Sequence, residues 1–226
     1  MAESTRSLTD LFGILGSRKV VDATGASDTS VTNVAEVAYA TKALQKFLSC
    51  LNGNDNPLLL DLGPVVGSNV TFFGEQLGCR IRVEDIAADI DRHVKAQKLE
   101  QLPEFFSKRF AEQPGTVDGI LCWDILDFLD RPAAQALATA VSSLLRPDGC
   151  LLGFFSTANT ADAVYTKYVV VDESTLKYRP YAAQRARQRN LLNGDIIKLF
   201  KDLRVTDSFL MKSQMREMLF RKPNRR

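Results

Sequence analysis

The hydrophobic positions of this chain change period several times, and each change marks a predicted element. From Val34 to Leu51, the apolar residues Val34, Val37, Ala38, Leu44, Phe47, Leu48 and Leu51 recur at helical spacing. Asn33 serves as N-cap and Asn52-Gly53 as the stop, so one long helix is predicted. An apolar run then covers Leu58 to Leu62, interrupted only by Asp61, and breaks at Gly63-Pro64. Helical spacing returns from Ser68 to Leu77, and a second apolar run, Cys79 to Val83, ends on Glu84 and Asp85. Strand, glycine turn, helix, strand and acid in that order predict a βαβ unit.

A helix that starts directly from a strand end points free N–H groups into the crevice above a sheet, and an acid at the next strand tip can accept two hydrogen bonds from a ribose diol. The ligand class this suggests is a nucleoside. Asp85 lies 24 residues beyond Asp61 and Glu84 lies 23, and side chains of neighbouring strand residues point to opposite sides, so one of the two is expected to face the ligand.

Further along, Ile86, Ile90 and Val94 share one helical face, whereas PEFFSKRFAEQPGT offers no clear strand before Asp118. Gly119 to Cys122 is apolar and ends at Trp123-Asp124, a helical pattern follows, and Arg146-Pro-Asp-Gly149 turns into another apolar run. Near the end, Asn193 is a candidate cap for a helix over Gly194 to Leu203, with strands predicted at Arg204 to Met211 and Met215 to Arg221. A long insert, Ser156 to Leu192, carries Tyr165, Tyr168, Tyr178 and Tyr181. The start holds a short amphipathic piece, Leu8 to Leu15, and then a Ser/Thr/Gly/Asp-rich loop. The predicted division is a loop and helical extension over residues 1–54 and a core over 55–226, with the insert at about 156–192.

The run Asp61-Leu-Gly63-Pro-Val65-Val-Gly67 resembles the D-x-G-x-G-x-G first motif of the class I S-adenosylmethionine-dependent methyltransferases, with Val65 in place of the middle glycine. A dinucleotide fingerprint fits less well, because Val65 and Ser68 stand where it needs glycines. The stretch from Val117 to Phe155 is similar to that family's fourth strand, following helix and fifth strand, and the tail is similar to its closing strands; the resemblance covers roughly residues 57–223. It implies an α/β, Rossmann-like, doubly wound fold, with a mostly parallel seven-stranded sheet, an antiparallel last strand and an N-terminal helical extension covering the crevice.

The resemblance also implies S-adenosyl-L-methionine as cofactor, transferred methyl as product, and site residues. Asp61 takes the methionine amino group. Gly63, Pro64, Val65, Gly67 and Asn69 line the loop, Asp85 or Glu84 binds ribose, and Cys122 and Trp123 end the fourth strand against the ligand. At the Val65 position the backbone normally runs close to the cofactor, and a β-branched side chain crowds that approach.

Methyl transfer from a sulfonium is an in-line displacement, so alignment in a dry pocket is the main requirement and neither a triad nor a metal is needed. A general base serves only a hydroxyl or protonated amine acceptor; Asp124 is the first candidate, with Asp127, Tyr165 and His93 behind it. The acceptor itself is not specified by the sequence, and a small molecule is preferred to a macromolecule. An alternative is a methyltransferase-fold scaffold that has lost catalysis.

Composition narrows this picture. At 45% hydrophobic and 25% charged residues the chain has the balance of one globular domain with an extension. Four dispersed cysteines and a single histidine give no metal-ligand spacing. No apolar run approaches the roughly 18 residues of a membrane span. MAESTRSLTDLF lacks the basic start and long apolar core of a signal peptide, which predicts a cytoplasmic protein without membrane partners. The net charge of +2 hides an asymmetry: from Ala163 onward 15 Lys/Arg stand against 6 Asp/Glu. RPYAAQRARQR concentrates arginines that suit either a solvated face or nucleic-acid phosphates. No N-P-P-Y or D-P-P-Y tetrapeptide follows the fourth strand, which weighs against a nucleic-acid acceptor.

Overall fold

The computed structural model describes residues 37–111, 114–158, 162–188 and 191–224. The predicted amphipathic piece at Leu8 to Leu15, the loop after it and the Asn33 cap lie outside the described residues.

Two sheets organise the chain. The larger has strand order β3-β2-β4-β5-β9-β8, built from β2 (Leu58–Asp61), β3 (Arg80–Val83), β4 (Val117–Trp123), β5 (Leu145–Ser156), β8 (Arg204–Leu210) and β9 (Met215–Arg221). β3, β2, β4 and β5 pair in parallel, and β9 runs antiparallel to both β5 and β8. Six strands are present among the described residues where seven are predicted. In the place of the third, the chain forms α4 (Leu102–Arg109), which buries Leu102 and Phe106. β4, VDGILCW, is buried along its whole length, as a central parallel strand with both faces covered must be.

Helices cover both faces. On one, α3 (Ile86–Lys95), α4, α5 (Arg131–Leu144) and α6 (Asn193–Leu199) pack on Leu60, Ile120, Cys122, Leu151 and Phe155. The other face carries α1 (Ala43–Leu51) and α2 (Gly67–Val70, continued as a π-helix over Thr71–Gln76), packed on Leu59, Leu121, Trp123, Leu152 and Phe154. Alternate residues of β4 therefore serve opposite cores. Asp85 and Asp130 cap α3 and α5 by accepting from the N–H of Ala88 and Ala133, both at 3.0 Å.

The second sheet has order β1-β7-β6, all antiparallel, from β1 (Val37–Ala40), β6 (Val164–Asp172) and β7 (Thr175–Ala182). It corrects one expectation. The long helix from Val34 is not formed: Val37–Ala40 is a strand in register with Tyr178 to Thr175, and the Tyr39 ring lies 4.4 Å from that of Tyr178. Cross-strand pairing with the insert overrides the helical period. α1 then begins at Ala43 and is capped from afar, because Glu217 of β9 accepts from the N–H of Lys42 and of Ala43, each at 2.9 Å. Asn193 is likewise not a cap; Leu192 holds that position with no side-chain bond, and α6 ends at Leu199.

Candidate cofactor and active site

The helix after β2 and the helix after β4 pack on opposite faces of the sheet, so the carboxyl ends of these two neighbouring strands form its topological switch point. Asp61 ends β2 and is 3% exposed. Its Oδ1 accepts from Gly63 N–H at 2.9 Å and from the Trp123 indole N–H at 2.7 Å. Burial outweighs these donors and pushes its carboxyl up to about 6.

The two motif glycines serve different ends. A Cβ on Gly63 would lie 2.8 Å from Trp123 Cδ1, so the indole itself requires this glycine. At Gly67 no atom lies within 4 Å of the Cβ position, so packing leaves the space beside it open. Val65 is 65% exposed and does not pack beneath the loop.

The insert forms the roof. Tyr168 on β6 stacks parallel to Trp123 with ring centroids 5.0 Å apart, and Trp123 holds φ +47°, an unfavourable value for a bulky side chain. Asn69 fastens this roof to α2: its Nδ2 donates to Tyr168 O and its Oδ1 accepts from Val170 N–H, both at 2.8 Å. Tyr165 OH and Gln184 N–H meet at Asp91 Oδ1, at 3.0 and 3.1 Å.

Beside the roof lies a buried ion cluster. Arg187 reaches Asp124 at 2.5 Å and Asp127 at 2.6 Å and lies over the Phe128 ring at 4.7 Å. Asp127 Oδ2 also accepts from Ser156 N–H at 2.8 Å. Burial raises both carboxyls and Arg187 opposes the rise; Asp127 settles at about 7, with Asp124 as an unfavourable neighbour. One cation between two carboxylates neutralises one of them, and a proton suits the other.

Strand order, the single antiparallel strand β9 and a glycine loop at the switch point coincide. The chain has a Rossmann-like, doubly wound α/β fold with a mostly parallel sheet. In sequence it is similar to the Ubiquinone biosynthesis O-methyltransferase of Xanthomonas campestris pv. campestris, at 29% identity over 111 residues, 46% of this chain and 45% of that protein. The Xanthomonas euvesicatoria pv. vesicatoria protein of the same name matches to the same extent. The match thus spans a little under half the length of these curated relatives. No protein-family model matches. Among solved structures, the chain is similar to Burkholderia thailandensis 1,6-didemethyltoxoflavin-N1-methyltransferase with bound S-adenosylhomocysteine (TM-score 0.48, 18% identity, 81% of this chain and 78% of that one). It is also similar to an S-adenosylmethionine-dependent methyltransferase from Clostridium acetobutylicum (TM-score 0.45, 14% identity, 80% and 91%).

Within this fold, the structure brings Asp61, Gly63, Asn69, Trp123 and Asp124 together and leaves other predicted residues elsewhere. Asp124, expected as a general base, is ion-paired with Arg187. Asn69 spends its amide on the roof, and Cys122 faces the opposite core, where burial pushes its thiol up. Glu84 is ion-paired with Arg82 and with Arg109 of α4, which leaves Asp85 as the acid at the tip of β3 with Oδ2 unused by its cap. Pro64 is half-buried on the loop. His93 is held by the Asp89 carbonyl at 2.7 Å and packs on Phe105, as befits a structural residue.

Arg187 was missed because its arginine-rich segment reads equally as a solvated face. The signal was Asp124 and Asp127 directly after a buried strand, two acids that need a cation.

Proposed function

We propose that this chain is an S-adenosylmethionine-dependent methyltransferase with a small-molecule acceptor. The observation that carries this is Asp61: a carboxylate buried at the switch point with no cationic side chain bonded to it among the described residues, and therefore suited to a ligand ammonium. The open space at Gly67 suits close approach of the rest of the ligand, and Asp85 is placed for a ribose diol. When bound, the cofactor supplies a sulfonium methyl group for in-line transfer. The chain's part is to orient it and to exclude water with Trp123, Tyr168 and Tyr165.

Among the described residues no three His, Cys, Asp or Glu are grouped to hold a metal, and no helix is long and apolar enough to cross a membrane. The name of the curated relative, Ubiquinone biosynthesis O-methyltransferase, supports a small-molecule acceptor here. A second reading, a scaffold without catalysis, is favoured by one feature: Trp123 already holds Asp61, and Arg187 already holds Asp124.

Calorimetric titration tests the cofactor reading. S-adenosylmethionine and S-adenosylhomocysteine are expected to bind and NAD is not; NAD binding without response to either adenosyl ligand would reverse the proposal. Asp85→Ala is expected to weaken S-adenosylhomocysteine by about 1 to 3 kcal/mol through lost charge-assisted bonds to ribose. The same change lowers thermal stability by about 1 kcal/mol through the lost cap of α3. A stability loss with unaltered affinity would remove Asp85 from the ligand site.

A further inference from the structure

We infer that Trp123 is a specificity-determining residue of this site: its indole N–H holds Asp61, and only a ligand carrying an ammonium group displaces it. The inference rests on the cofactor reading above. Asp61 is 3% exposed, and no ligand atom reaches its Oδ1 unless a donor already bonded there moves. Two donors cover Oδ1. The Gly63 N–H belongs to the turn and cannot leave without undoing it, whereas the indole is a side chain, 2.7 Å away.

The ring lies directly on the loop, against the side of Gly63 where a Cβ would stand, and so fills the space above the first motif glycine. Its backbone is held at φ +47°, a conformation that bulky residues rarely adopt. A charged ammonium makes a stronger bond to a buried carboxylate than a neutral N–H does, so exchange runs toward the ligand when the ligand has that group. An adenosine thioether without the amino-acid arm has nothing to offer Asp61 and leaves the indole in place.

The consequence extends to the roof. Trp123 is stacked on Tyr168, and the Tyr168 carbonyl and the Val170 N–H of the same strand are bonded to Asn69. The indole therefore leaves either by breaking this stack or by carrying β6 with it, which links recognition of the amino-acid arm to the hairpin over the site.

Trp123 is the chain's one tryptophan, so its emission reports on this residue alone. S-adenosylhomocysteine is expected to change the emission spectrum of the wild-type protein in a saturable way, and 5′-deoxy-5′-methylthioadenosine, its counterpart without the amino-acid arm, is expected to bind without changing it. Trp123→Phe removes the donor and keeps a ring against Tyr168. It should tighten S-adenosylhomocysteine about tenfold and leave methylthioadenosine within about twofold, as expected for one bond to a charged group. Calorimetric binding of S-adenosylhomocysteine with unchanged emission would overturn the inference, as would a Trp123→Phe variant that loses affinity for both nucleosides. If neither nucleoside binds either protein, the cofactor reading itself fails and displacement falls with it. Should the variant not fold, the wild-type emission experiment decides alone.

Discussion

Arg187→Met is expected to lower stability by about 3 to 5 kcal/mol at pH 8, because it strands Asp124 and Asp127 as buried carboxylates without their cation. For a chain of this size that is roughly 10 °C in melting temperature. The direction with pH is fixed by the raised Asp127 carboxyl. A group at about 7 in the folded chain and near 3.9 unfolded contributes stability that is complete below its unfolded value and is lost as pH rises through 7. Removing Arg187 raises both carboxyls further, so the variant's deficit grows from pH 5 to pH 8 rather than staying constant. Thermal melts by circular dichroism at the two pH values test this. A variant within about 1 kcal/mol of wild type at pH 8 would show that the cluster is not a buried ion site. Replacing all three members together by apolar residues of similar volume should recover most of the loss, since the penalty lies in the unpaired charges rather than in the missing attraction.

What was legible in the sequence follows from how far apart the partners lie. The β2–α2–β3 unit and the succession β4, α5, β5 are set by local period and local turns, and they stand where the apolar runs place them. Met215–Arg221 matches its predicted bounds for the same reason. β1 was misread because the pattern from Val34 to Leu51 is helical, while the partner that makes Val37–Ala40 a strand is β7, some 140 residues on. The cap of α1 is equally remote: Glu217 lies 174 residues from Ala43. In the candidate site, Asp61 and Gly63 could be read from the motif, but the purpose of Gly63 could not, because the indole that demands it comes from the tip of β4. Asp124 looked like a free acid only as long as Arg187, 63 residues later, was out of view. The missing third strand, by contrast, was visible as an absence of any β run in PEFFSKRFAEQPGT, and the chain forms a helix there.

Asp61 is expected to make cofactor binding depend on pH in a direction opposite to its effect on the ligand-free fold. Burial holds its carboxyl at about 6, above the unfolded value near 3.9, so the ligand-free chain binds more protons than the unfolded chain between those values. That contribution to stability is complete below about pH 4 and fades as pH rises through 6. A ligand ammonium needs the ionised form. S-adenosylhomocysteine should therefore bind about tenfold more tightly at pH 7 than at pH 5, the ratio of ionised Asp61 at the two values for a group at about 6. Binding near pH 6 should release protons, measurable as a dependence of the calorimetric enthalpy on the ionisation heat of the buffer. Asp61→Asn keeps the shape and an acceptor for Gly63 N–H but cannot ionise. It should weaken S-adenosylhomocysteine by about 1.5 to 3 kcal/mol at pH 7, the range for a hydrogen bond to a charged group, and abolish both the pH dependence and the proton release. In the same variant the ligand-free protein should no longer lose this contribution between pH 4 and 6. An affinity for S-adenosylhomocysteine that is flat across pH 5 to 7 in the wild type would mean that the ligand never reaches Asp61. The carboxylate would then serve only its internal donors, Trp123 and Gly63.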